Sequence, residues 1–337
     1  MTLNDVPKLK LGHLPTPLDE APRLAKALGL RRLLVKRDDQ TGLGLGGNKV
    51  RKLDFLMADA VRKESDVVLT IGGPQSNHAR LTAAAARRLG MDSVLVLAGP
   101  RFESFDGNLL LDIIFDAEIR YLPDAGVAPM EKAMDETALE LEQAGRRPYV
   151  IPMGGSSPLG VLGYANAVKE LAGQLGDEKE PQIVAAVGSG GTLAGLTLGA
   201  RMFLPGARII GISVARPIEP FEVVVSRVAA GGAELIGVNS AFDPAKIEIS
   251  YDYVGDRYGV PSNAGIEAIL LAARTEALVL DPVYTGKAMS GLIGMVEKGA
   301  IDRDRTTVFI HTGGSPALFA NEQYFHKMAK YIEINRK

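Results

Sequence analysis

Cysteine is absent from the 337 residues, which removes disulfide frameworks, cysteine-bearing zinc sites and thiol nucleophiles together. Histidine is scarce: His13, His78, His311 and His326 show no paired spacing of the kind metal ligands adopt, so no metal is expected. An excess of either charge is also lacking. Lys and Arg number 38 against 40 Asp and Glu, so no basic field exists to hold a phosphate backbone, and nucleic acid is not an expected partner. Long hydrophobic runs are missing too. The longest uncharged stretch, Ile183–Ala200, has 18 residues but carries five glycines and a central GSGGT, so a strand, a tight loop and a helix explain it better than a membrane span. Met1–Leu11 has no apolar core of the signal-peptide kind. A soluble, cytoplasmic protein without membrane partners is the expectation. No repeat and no low-complexity segment is visible.

What is present is alternation. Short Val- and Ile-rich runs predict strands at Leu33–Lys36, Val67–Ile71, Val94–Ala98, Glu118–Leu122, Tyr149–Ile151, Ile183–Val187, Arg208–Val214, Ile247–Tyr251, Leu278–Leu280 and Val308–His311. Amphipathic segments lie between most of them. In Val50–Val61, for instance, Val50, Leu53, Leu56, Met57, Ala60 and Val61 recur at helical spacing. Repeated strand–helix–strand order argues for parallel sheets with helices on both faces, an α/β fold, whose ligands gather at the carboxyl ends of the strands.

The unusual residues fall in those loops. Gly42–Gly47 (GLGLGG) matches the dinucleotide fingerprint literally, but five residues, Arg37–Thr41, separate it from its strand, and the acidic residue that should end the next strand is missing. It is not a P-loop either, since Lys49 is followed by Val50. The loop instead delivers Lys49 to the first turn of a helix, where the macrodipole disfavours a cation. Lys49 is then either a solvated lysine beside Arg51 and Lys52 or an amine poised to form a Schiff base, and the residues alone leave both open. Gly72–His78 (GGPQSNH) follows a strand. Ser76 or Asn77 can cap the alanine-rich helix beyond, or the free amides there can bind a carboxylate. A lone His78 is more often structural than catalytic. Val187–Thr192 (VGSGGT) places three glycines within Gly188–Thr192, more than a turn needs, with Ser189 and Thr192 hydroxyls at a helix start. That composition suits a phosphate cup. Asp281–Thr285 (DPVYT) and His311–Ser315 (HTGGS) close two further short apolar runs and taken singly decide nothing.

A lysine in one loop, a phosphate cup in another and hydroxyls at further strand ends describe a pyridoxal-phosphate site. The stretches KRDDQTGLGLGGNKVRKL (36–53), GGPQSNHAR (72–80), GSGGTLAG (188–195) and DPVYTGKA (281–288) carry the identification. From His13 to the HTGG at 311–314, the chain resembles the D-cysteine desulfhydrase and 1-aminocyclopropane-1-carboxylate deaminase family of fold type II pyridoxal-phosphate enzymes. The resemblance implies two three-layer α/β domains of the tryptophan synthase β type, the smaller, residues 51–160, inserted into the larger, 1–50 plus 161–337. It implies a pyridoxal phosphate cofactor held by Lys49 as an internal aldimine, with Asn77 on the pyridine 3′-oxygen. Gly188, Ser189, Gly190, Gly191 and Thr192 would hold the phosphate, and Thr312 would face the pyridine nitrogen. Ser76, with Asn77 and His78, would receive the substrate, and Tyr258 and Tyr284 would flank its reacting end.

Within that family, ring-opening deaminases carry Glu, Leu and Gln where this chain has Thr285, Thr312 and His78. All three departures point to the desulfhydrase side. The resemblance therefore implies an α,β-elimination, D-cysteine giving pyruvate, ammonia and hydrogen sulfide, in a homodimer. Sulfite release from L-cysteate and opening of the cyclopropane ring are the alternatives within the family. From a different class, a non-catalytic carrier of cofactor or amino acid would need Lys49 and the phosphate cup but neither Ser76 nor Tyr284.

Overall fold

The computed structural model describes residues 1–102, 105–123, 126–178 and 180–326. Its strands are β1 (Leu18–Glu20), β2 (Leu33–Lys36), β3 (Val67–Gly72), β4 (Asp92–Ala98), β5 (Glu118–Leu122), β6 (Pro148–Ile151), β7 (Gln182–Val187), β8 (Arg208–Ser213), β9 (Glu248–Ser250) and β10 (Thr307–Ile310). Between them run α1 (Pro22–Leu28), α2 (Lys49–Arg62), α3 (Asn77–Arg88), α4 (Gly107–Ile114), α5 (Val127–Gln143), α6 (Leu162–Leu175), α7 (Gly191–Phe203), α8 (Phe221–Leu235), α9 (Asn263–Glu276), α10 (Thr285–Glu297) and α11 (Ser315–Phe319).

Two sheets result. One orders its strands β1-β2-β10-β7-β8-β9, and the other β5-β4-β3-β6. Every pairing is parallel except β1 against β2. Each sheet is covered on both faces, and the strands show why. In β2, Leu33 and Val35 face α1, α9 and α10, while Leu34 between them faces α6 and α7. In β3, Val67, Leu69 and Ile71 pack on α5, whereas Val68 turns to α2 and α3. Strands apolar on both faces, such as the wholly buried IVAAV of β7, belong to the interior of a parallel sheet. The smaller sheet is formed entirely by chain between β2 and β7.

Nine of the ten expected strands form. Leu278–Leu280 does not: Leu278 and Leu280 are buried in the core, but β10 is already paired by β2 on one side and β7 on the other, leaving no ladder to join. The strand that was not foreseen, β1, reads LDE, too polar and short for a periodicity signal.

This topology places the site. Because β2, β10 and β7 are parallel neighbours, the loops leaving their carboxyl ends (37–47, 311–314 and 188–190) emerge side by side. The same holds for β3 and β6, whose loops are 73–76 and 152–157.

Candidate active site

Lys49 opens α2 after a loop that only glycine can build. Gly46 sits at φ +72°, and a Cβ there would collide with the Asp39 carbonyl. Thr41 clasps the far end, its Oγ1 accepting from Gly47 N at 2.8 Å and donating to Gly47 O at 2.9 Å. The helix is held from its other side by Arg51, fully buried, whose guanidinium meets Asp38 at 2.7 and 2.8 Å and Glu170 at 2.9 and 3.0 Å. A two-pronged pair of this kind fixes orientation, whatever its net stabilisation.

With α2 so fixed, two amines converge. Lys49 Nζ donates to the Gly154 carbonyl at 3.3 Å, and Lys52 Nζ to the same oxygen at 3.0 Å. Neither makes an ion pair among the described residues. Burial pushes the Lys49 amine down to about 8, against the opposing hydrogen bond with Lys52. Burial, then the charge of Lys49, holds Lys52 well below the usual lysine range.

The glycine loop of β7 lies beside them. A Cβ at Gly154 would strike Ser189 and stand 3.4 Å from Lys49 Nζ, and one at Gly191 would stand 2.7 Å from Lys52 Nζ. Ser156 Oγ lies 3.0 Å from Ser189 Oγ and accepts from Gly191 N at 3.2 Å. Asn48 Nδ2 donates to Thr192 Oγ1 at 3.0 Å. The Gly188–Thr192 loop thus lies beside the lysine pair, Ser189 next to Gly154 and Gly191 next to Lys52, at the start of α7, where first-turn amides and the helix dipole favour an anion.

The β3 loop joins from the smaller sheet. Ser76 is the N-cap of α3, accepting from Ala79 N at 3.2 Å, so its capping role is realised. Asn77 Oδ1 accepts from Asn108 Nδ2 at 2.9 Å. Arg80 ties this loop to the lysine loop by donating to the carbonyls of Gly44 and Gly46. His78 is buried near Gly155, with the Pro152 backbone within reach of its ring. Burial, then the charges of Lys49 and Lys52, keeps its pKa far below the ordinary value, so the ring is neutral.

Thr312 is brought in through its backbone: its carbonyl accepts from Asn48 N at 3.0 Å, and a Cβ at Gly313 would come 2.9 Å from Gly47 Cα. On the opposite flank, Tyr284 touches the glycine loop, its Cε1 lying 3.0 Å from where a Gly188 Cβ would be. Tyr284 and Tyr258 share a hydrogen bond of 2.5 Å between hydroxyls, with their rings edge to face. Burial, then Tyr258, lifts Tyr284 far above the ordinary phenol range, so it is a neutral phenol.

The pyridoxal-phosphate-dependent enzymes match residues 9–313. The chain belongs to that family. Among curated relatives, the D-cysteine desulfhydrases of Klebsiella pneumoniae and Yersinia enterocolitica are each 43% identical, with 94% of this chain and 97% of theirs aligned. A solved structure described as a 1-aminocyclopropane-1-carboxylate (ACC) deaminase homologue superposes with a TM-score of 0.90 at 41% identity, covering 96% of this chain and 97% of that one. A threonine deaminase isoform from Solanum lycopersicum shares the fold, with a TM-score of 0.63 at 20% identity over 96% of this chain and 83% of its own.

The family's cofactor is pyridoxal phosphate, and the residues fit it. Half-buried Lys49 and fully buried Lys52, neither with a carboxylate partner among the described residues, form with the glycine loop and helix start a site that an aldehyde and a phosphate dianion would satisfy together. Lys49 would supply the amine, while Lys52, Ser156, Ser189 and the Gly188–Thr192 backbone would hold the phosphate.

Lys52, Asn48 and Ser156 are the residues that sequence reasoning passed over. Lys52 reads as one more solvated lysine, and only the fold carries it inward. Ser156 had a signal: Pro152–Ser157 (PMGGSS) is another glycine- and serine-rich loop directly after a strand.

Proposed function

We propose that this enzyme catalyses an α,β-elimination on a small amino acid, first of all D-cysteine, converting it with one water to pyruvate, ammonia and hydrogen sulfide. The observation that carries the reading is that the Gly188–Ser189 turn has Lys49, an amine of lowered basicity, close by across Gly154 and the hydrogen-bonded Tyr258–Tyr284 pair against Gly188. Pyridoxal phosphate, when bound, supplies the electron sink that acidifies the substrate Cα proton.

The chain's own residues do the rest. Lys49 Nζ takes the Cα proton as general base, a role its pKa of about 8 suits near neutrality. The amides at the Ser76–His78 helix start would receive the substrate carboxylate, and Asn77, steadied by Asn108, would meet the cofactor hydroxyl. The neutral Thr312 hydroxyl would stand toward the ring nitrogen. In the Tyr258–Tyr284 pair one hydroxyl donates to the other, which leaves the acceptor's own proton for the departing sulfur.

The ACC deaminase likeness gives ring opening as a second reading. Thr285 argues against it. Its hydroxyl is spent inside the chain, donating to Asp281 Oδ1 at 2.7 Å and accepting from Asp281 N at 2.7 Å, so it presents nothing to a substrate. Sulfite release from L-cysteate would use the same residues.

The test is incubation of purified protein and cofactor with D-cysteine, L-cysteine, L-cysteate and 1-aminocyclopropane-1-carboxylate. Pyruvate and sulfide from D-cysteine support the proposal. Sulfite from L-cysteate, or a keto acid from the cyclopropane, changes the substrate, and cofactor binding without product makes the chain a carrier. We further propose a cytoplasmic homodimer with the smaller domain spanning 51–160. Cell fractionation and light scattering read location and assembly, and limited proteolysis reads the domain boundary.

A further inference from the structure

Lys287 is wholly buried on α10 and has no part in the reaction as proposed. Its Nζ donates to two backbone carbonyls of one turn, Val254 O at 2.7 Å and Arg257 O at 3.0 Å. No carboxylate pairs with it among the described residues. Burial pushes the amine down to about 8, although Asp281 and Asp256 oppose this through space. Such a group is costly to keep, and a methyl-ended side chain would fill the volume without that cost.

What the amine holds gives it a purpose. Tyr258 follows Arg257 directly, in a segment without helix or strand, bracketed by Gly255 at φ +71° and Gly259 at φ +79°. Across 254–260 the only backbone–backbone hydrogen bond among the described residues is Val260 N to Arg257 O, a long 3.4 Å. Lys287 therefore supplies the main polar anchors of the turn that presents Tyr258. Tyr284, N-cap of the same helix, stands three residues earlier and so on the same face. The Tyr258–Tyr284 hydrogen bond closes the circuit: helix, ammonium, turn, one phenol, the other phenol and back to the helix.

We infer that Lys287 is a positioning residue for elimination, acting through Tyr258 by holding its turn against α10 so that the two hydroxyls stay paired. The inference rests on the tyrosine pair serving the substrate's leaving group. It predicts coupling: Lys287 matters to catalysis only while Tyr258 has its hydroxyl.

The experiment is a double-mutant cycle in the holoenzyme with Lys287→Met and Tyr258→Phe, reading kcat, KM and the near-visible absorbance of the lysine-bound cofactor, with hydrogen exchange over 252–262. Lys287→Met is expected to lower kcat about 10- to 100-fold, leave the cofactor band in place and speed exchange in that segment. In the Tyr258→Phe background the same change is expected to alter kcat by less than about threefold. Multiplying effects, or full activity in Lys287→Met, would overturn the inference. Should the Met variant not fold, Lys287→Gln takes its place. If neither folds while Tyr258→Phe does, the lysine anchors the whole fold and the inference is wrong. A wild type that eliminates nothing would remove the functional reading, yet hydrogen exchange would still show whether Lys287 holds this turn.

Discussion

Lys49 and Lys52 bring their amines to one acceptor, the carbonyl of Gly154, at 3.3 and 3.0 Å. Three residues apart on α2, they share a face, and the Arg51 ion pairs on the other side prevent the helix from rolling them apart. In the proposed reading the two amines would divide the cofactor between them, Lys49 taking its aldehyde and Lys52 its phosphate.

Replacing Lys52 by Met separates these roles. A hydrogen bond to a charged group contributes about 1.5–3 kcal/mol, so affinity for pyridoxal phosphate should fall roughly 10- to 100-fold. Saturating cofactor should still give the lysine-bound absorbance, and affinity for pyridoxal lacking the phosphate should change little. Absorbance titrations with both compounds check this.

Capture of the cofactor by apoprotein should depend on pH in a way that reports Lys49. Only the neutral amine attacks an aldehyde. A lowered pKa populates that form above about 8, where an ordinary lysine needs roughly 10.4. The capture rate at limiting cofactor should rise about tenfold per pH unit below 8 and level off above it. Stopped-flow absorbance from pH 6 to 10 would show the bend.

Much of the site was legible because its chemistry sits at strand ends. Gly188–Thr192 spends three glycines where a turn needs one, and Lys49 stands at a helix start that disfavours it. Lys52 and Lys287 were illegible for the opposite reason. Each is a lysine in a helix, the commonest surface residue in the commonest place, and only the chain folded over it, at Gly154 or Val254, makes it inward-facing. The fold followed a similar rule. Strands buried on both faces announced themselves as Val- and Ile-rich runs, whereas Leu278–Leu280 gave the same signal but buries only Leu278 and Leu280, leaves Val279 half exposed, and runs beside β10, whose two edges β2 and β7 already occupy.

Tyr284→Phe should leave cofactor binding intact and slow product formation. Loss of a general acid costs about 10²- to 10⁴-fold, and a thiolate that leaves unaided places the effect at the low end. The effect should be larger for D-serine, whose hydroxide is a poorer leaving group. Comparing kcat on D-cysteine and D-serine measures it.

Gly46→Ala tests the loop that delivers the lysine. Its backbone, at φ +72° and ψ 176°, lies in a region that side-chain-bearing residues avoid, at a cost of about 1–3 kcal/mol, and the new Cβ also meets the Asp39 carbonyl. Urea denaturation should show at least that loss, together with slower cofactor capture. An unchanged midpoint would mean that the loop relaxes freely.

The most direct test of the account is Lys49→Ala, assayed with cofactor and D-cysteine. The account predicts that the lysine-bound absorbance and the production of pyruvate and sulfide disappear together while the protein stays folded. A variant that keeps both would contradict it, because another residue would then carry the cofactor and take the proton.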